Sequence, residues 1–164
     1  MSEHLPIFVY GTLLDGYKNS AAVLRGRHTS STNASLSGAR LWHYAAGFPG
    51  MEATVEAATV KGAIIHIPFA IYFDVLRDLD GLEDYFGPKD ARNVYERKIV
   101  LIDVEGMSER VKAYTYFTLM DSKKENAELV LSGDWRAFML ERKLDDAGDD
   151  WAARQAAALL VVQK

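Results

Sequence analysis

The chain has no cysteine and only 4 prolines among its 164 residues. Without cysteine there can be no disulfide, no thiolate metal site and no cysteine nucleophile. Long apolar runs are missing too. The longest lies from Ala156 to Val162, too short to cross a bilayer, so no membrane partner is expected. The start, MSEHLPIF, has no basic segment leading into an apolar stretch. No signal peptide is expected there, and the protein is expected to be cytoplasmic. Basic charge is in deficit, with 19 Lys and Arg against 23 Asp and Glu and a net charge of −4, which argues against a nucleic-acid partner. The four histidines, His4, His28, His43 and His66, have no metal-ligand spacing, and no metal site is expected. There is no G-x-S-x-G elbow, no phosphate loop and no dinucleotide fingerprint.

What remains is an ordinary globular chain, 49% hydrophobic and 26% charged. Its length suits one domain spanning residues 1–164, able to bury roughly 70% of its unfolded surface. Residues 7–10 form a short β-branched and aromatic run ending at Gly11, the pattern of an interior strand. Residues 19–26 read as a short helix. Residues 36–44 and 59–67 read as strands, with a turn over 45–50, and Gly62 marks a bulge or a close approach. Pro68 opens a helix whose apolar face is Ile71, Val75, Leu76 and Leu79, and Asp80-Gly81 ends it. Residues 95–104 and 110–118 form a hairpin, and the remainder is expected to be helical, with caps at Asp134 and Asp149. The order of elements predicts an α+β fold with a mostly antiparallel, barrel-like sheet and a helical C-terminal extension over 128–164.

Three stretches carry potential chemistry. After the first strand come Tyr10-Gly11-Thr12-Leu13. Glycine permits φ > 0 and close approach, and successive amides of Gly11, Thr12 and Leu13 can form an anion-binding nest. The same residues also suit a plain strand end with Thr12 in a turn. In Leu79-Asp80-Gly81-Leu82-Glu83, Glu83 continues the apolar stripe of the helix. A desolvated carboxylate there has a raised pKa and suits a general base; a surface acid at a frayed helix end is the other reading. Asp80 and Asp84 read as solvated caps. In Tyr95-Glu96-Arg97, Tyr95 and Arg97 share one strand face.

The order and spacing of these three stretches resemble the gamma-glutamylcyclotransferase-like superfamily, in its AIG2-like, gamma-glutamylamine cyclotransferase branch. Phe48-Pro49-Gly50 is similar to that family's aromatic-Pro turn, and Gly133-Asp134-Trp135-Arg136 to a segment of some bacterial members. The resemblance covers residues 6–120. It implies a small mixed, mostly antiparallel barrel with flanking helices and an enzyme that releases 5-oxoproline from a small gamma-glutamyl compound without a cofactor. By position it implies Glu83 as catalytic acid/base and Tyr10, Gly11, Thr12 and Leu13 as the substrate loop, with Tyr95 and Tyr116 helping to close the pocket. Thr12, rather than serine, resembles the amine branch. A module that binds a gamma-glutamyl or 5-oxoproline-like acid without turnover is the alternative. Leu14, where many relatives carry a basic residue, and the eleven residues 84–94 before Tyr95 depart from the family pattern. The tail, with Trp151, Leu159, Leu160 and Val162, is expected to pack on the domain, to cover a sheet edge or to build a homodimer contact.

Overall fold

A computed structural model describes residues 3–142 except 15, 16, 18, 19, 25, 28 and 29. Five strands close into a barrel in the order β1-β5-β2-β6-β7. They are β1 (Ile7–Val9), β2 (Ser30–Ser37), β5 (Thr59–His66), β6 (Tyr95–Val104) and β7 (Val111–Thr118). All neighbours are antiparallel except β1 and β7, which pair in parallel at Ile7↔Tyr114. A second sheet of three strands runs β4-β3-β8, from β3 (Ala39–His43), β4 (Pro49–Ala53) and β8 (Glu128–Val130). Among the described residues the helices are α1 (Phe69–Leu82) and α2 (Trp135–Glu141), with one π-helical turn at Ser20–Leu24.

The composition of β1 explains its place. Ile7 and Val9 pack into one apolar cluster and Phe8 and Tyr10 into another, so the strand is buried on both faces and shows no polar alternation. Helix α1 buries Tyr72, Val75, Leu76, Leu79 and Leu82 against the first cluster. That stripe brings the C-terminal end of α1 to Leu13, Tyr95 and Tyr116 in the same cluster. Gly62 is the close approach expected of it: a Cβ there would stand 2.1 Å from the Val9 carbonyl oxygen.

Several expectations need correction. The strand expected over 36–44 is two strands that meet at Gly38, one in each sheet. The segment from Ser30 to Ser35 is a strand despite its polarity, because β5 pairs with all of it and β6 with its end at Ala34 and Ser35. Pro49 and Gly50 begin β4 rather than finish a turn. Helix α1 continues through Asp80 and Gly81 to Leu82. Residues 128–130 are not helical: they form β8, which pairs with the edge of β3. Asp134 does cap a helix, its carboxylate accepting from Ala137 N–H, but α2 ends at Glu141. Leu144, the helix expected from Asp149 and the four apolar tail residues lie outside the described residues. Among the described residues, no helix is long and apolar enough to cross a membrane.

Candidate active site

A cavity of about 390 Å³ opens where the loop after β1, the turn before β4, the end of α1 and the starts and ends of β6 and β7 meet. Tyr10, Gly11, Thr12, Leu13, Glu83, Tyr95 and Tyr116 all line it. Phe8, Val9, Ala46, Phe48, Pro49, Leu82, Asp84 and Val94 complete the wall.

The loop is shaped locally. Leu14 N–H closes a turn on the Gly11 carbonyl, and Ser20 N–H donates to the Thr12 carbonyl. Gly11 does not use a positive φ. Its glycine serves a close approach instead: a Cβ would stand 2.3 Å from Pro49 Cγ. The same Pro49 accepts a hydrogen bond from Tyr95 Oη at its carbonyl, 2.8 Å away. One proline thereby joins the loop after β1, the start of β4 and the start of β6. The turn leading into it is fixed by Tyr44, whose N–H donates to the Phe48 carbonyl and whose hydroxyl donates to Thr118 Oγ1.

Glu83 caps the C-terminal end of α1, and its N–H donates to the Leu79 carbonyl. The chain turns sharply at Asp84, where φ is +49°. The Glu83 carboxylate therefore sits at the rigid end of a helix rather than on a free loop. Its charge is felt by two of the phenols in the wall. Burial pushes the Tyr10 phenol well above its ordinary pKa, and Glu83 adds to that. Tyr116 is pushed well up by burial, then by Asp80, and also by Glu83.

Asp80 is not the solvated cap that its sequence position suggests. It lies inside α1, mostly buried, with Arg97 Nη1 at 2.5 Å from Oδ2 and Tyr116 Oη donating to Oδ1 at 2.6 Å. Burial raises its pKa, against the pull of the Tyr116 hydrogen bond and Arg97. Arg97 is likewise mostly buried, its guanidinium over the rings of Tyr85 and Tyr114. The spacing held the signal for Asp80, which follows Tyr72 and Leu76 at steps of four and so lies on the apolar stripe that also leads to Glu83. Phe48 and Pro49 were visible only as a turn. His43 is a packing residue, accepting from Trp135 Nε1 at 3.1 Å and lying tilted against the Phe138 ring.

Gamma-L-glutamyl-butirosin B gamma-glutamyl cyclotransferase of Niallia circulans is 29% identical over 135 residues, which is 82% of this chain and 78% of that protein. Among solved structures, YkqA from Bacillus subtilis matches with a TM-score of 0.59 at 21% identity. The match takes in 86% of this chain but only 43% of YkqA. An AIG2-like protein from Mus musculus matches with a TM-score of 0.52 at 20% identity, over 81% of this chain and 88% of its own. At these identities the two structures speak for the fold alone. The family described as gamma-glutamyl cyclotransferase, AIG2-like matches residues 7–137, a span that holds the whole barrel and every cavity-lining residue named above, and the chain belongs to that family.

Proposed function

We propose that this chain is a gamma-glutamyl cyclotransferase that releases 5-oxoproline and a free amine from a small gamma-glutamylamine-type substrate. The supporting observation is that one cavity is lined both by the loop from Tyr10 to Leu13 and by Glu83. Its volume is that of a small-molecule site. The family and the relative's named activity support the reaction type. The choice of an amine leaving group rests on Thr12, with the gamma-L-glutamyl-butirosin B of the relative's name as a gamma-glutamyl compound that is not glutathione.

In this reaction the α-amine of the gamma-glutamyl group attacks its own γ-carbonyl carbon. Glu83 takes a proton from the α-ammonium, freeing the nitrogen lone pair. The new C–N bond closes a five-membered ring and places negative charge on the carbonyl oxygen. Backbone amides of residues 11–13 hold the α-carboxylate or that oxyanion. As the old C–N bond breaks, the protonated Glu83 gives its proton to the departing amine; the freed carboxylate then takes the second proton that the ring nitrogen must lose and passes it to the amine, which leaves as an ammonium. The scheme uses no cofactor. Holding both ends of the substrate in attack geometry supplies much of the rate, and a placed base adds about 10²–10⁴-fold.

The test is Glu83→Gln, which keeps shape and removes the base. Purified variant should form 5-oxoproline about 10²–10⁴-fold more slowly than wild type, at unchanged melting temperature. An unimpaired rate removes Glu83 from the mechanism. If wild type is silent across gamma-glutamyl amines, dipeptides and glutathione yet binds 5-oxoproline, the protein is a binding module instead.

A further inference from the structure

We infer that Asp80, braced by Arg97, is a positioning residue that turns Tyr116 into a hydrogen-bond acceptor for the substrate's α-ammonium group. This rests on the cyclotransferase reading of the cavity. A phenol has one O–H to give and lone pairs with which to accept. Tyr116 gives its proton to Asp80 Oδ1 at 2.6 Å. The other carboxylate oxygen, Oδ2, is taken by Arg97 Nη1 at 2.5 Å. Arg97 is in turn packed over the rings of Tyr85 and Tyr114, at 5.3 and 4.8 Å from their centroids. A guanidinium keeps its charge throughout the working pH range, so Asp80 stays an acceptor and Tyr116 stays its donor.

The other two tyrosines of the wall follow the same rule. Tyr95 Oη donates to the Pro49 carbonyl at 2.8 Å, and Tyr10 Oη donates to the Tyr116 carbonyl at 2.7 Å. Three phenols therefore line the cavity, and each has its proton committed to a protein oxygen. None of them has an O–H left for an oxyanion. Tyr10 Oη also takes a hydrogen bond from the Met51 backbone, which leaves Tyr116 as the acceptor the inference uses. Together with Glu83 in the same wall, such an acceptor suits a ligand that brings positive charge and N–H donors, as an ammonium does. The α-carboxylate and the oxyanion are then left to the backbone of residues 11–13, as in the reaction proposed above. Asp80 precedes Glu83 by three residues on α1. The two carboxylates thus share a helix face and divide the work, one orienting the acceptor and the other moving the proton.

The experiment compares two ligands that differ only in the α-amine. Gamma-glutamyl methylamide carries it; N-methylglutaramate lacks it and serves as a competitive inhibitor. In Asp80→Asn the side-chain carbonyl turns to Arg97 and its NH₂ turns to Tyr116, which releases the phenol proton toward the cavity. The KM for gamma-glutamyl methylamide should rise roughly tenfold or more, while the Ki of N-methylglutaramate stays within about twofold of wild type. Tyr116→Phe should give the same split, and it carries the test if Asp80→Asn does not fold. Equal shifts for both ligands, or no shift for either, overturn the inference and leave the cyclotransferase reading standing. Wild-type protein that neither turns over the amide nor binds either ligand overturns the reading of the cavity itself, and the inference with it.

Discussion

Pro49 lies against Gly11 so closely that a Cβ on the glycine would stand 2.3 Å from the proline Cγ and 3.2 Å from its Cδ. Neither partner can yield easily, because the pyrrolidine ring is rigid and Pro49 also holds Tyr95 through its carbonyl. Gly11→Ala should therefore move the loop and the turn apart. The expected outcome is a stability loss of about 1–3 kcal/mol by denaturant titration, as for other overpacked sites. Turnover to 5-oxoproline should fall more than tenfold. Wild-type activity in Gly11→Ala would show that the loop's contact with Pro49 has no part in the reaction.

Gly62→Ala tests the same loop from below. The added methyl would meet the Val9 carbonyl at 2.1 Å, and this obstacle is backbone within the β1–β5 pairing. Val9 is the last residue of β1, two before Gly11. The variant should unfold at lower temperature than Gly11→Ala, since no side-chain rotation relieves the clash. Thermal melts of the two proteins side by side give the ranking.

Arg97→Met leaves the Asp80 carboxylate buried without its cation. Removing one member of such a pair costs about 3–5 kcal/mol, whereas Asp80→Leu with Arg97→Met should recover most of it. The pH dependence has a definite sign. Burial raises the folded pKa of Asp80, and without Arg97 it rises further. Stability is then kept below the unfolded pKa and lost as pH climbs through the folded one. Arg97→Met should accordingly lie nearest to wild type near pH 4 and fall behind toward neutrality, as read by urea midpoints at several pH values.

Tyr72 sets an alkaline limit. Its buried hydroxyl donates to the Leu5 carbonyl and accepts from Leu5 N–H, and burial pushes its pKa from 10.0 up to about 12. The protonated phenol belongs to the folded state, so its contribution is intact below pH 10 and disappears between pH 10 and about 12. The proton is worth about 2–3 kcal/mol over that window. Tyr72→Phe should lose stability less steeply there, by roughly 1.4 kcal/mol per pH unit. Identical slopes would remove Tyr72 from the alkaline transition.

The sequence disclosed most where a residue's own burial decides its conformation. Strand β1 and helix α1 are apolar in ways that only a doubly buried strand and a one-faced helix explain, whereas the hairpin of β6 and β7 showed in its β-branched runs on either side of a glycine turn, although Ile99 and Leu101 of β6 are exposed. Strands β2 and β8 were hidden because partners create them: Ser30 to Ser35 is polar, and Glu128–Val130 is three residues on an edge. Within the site, Glu83 stood out as a carboxylate at the end of an apolar stripe. Asp80 stood on that stripe as well, but the adjacent glycine read as a helix end and so disguised it. Arg97 could be paired with Asp80 only once β6 was folded beside α1. Gly11 was marked by its type, while its reason, the ring of Pro49, lies 38 residues away in sequence.

The barrel is sealed between β1 and β7 by a short parallel seam, supported by Thr115 Oγ1 donating to the Phe8 carbonyl across 107 residues of chain. One side of that seam leads into the loop at Gly11, and the other carries Tyr116. Such a distant closure is costly in chain entropy and forms late. No fragment or partly folded state that lacks β7 contains the cavity. Catalytic competence should therefore appear on refolding only with the final closure, and heat or denaturant should abolish activity and tertiary structure in one transition.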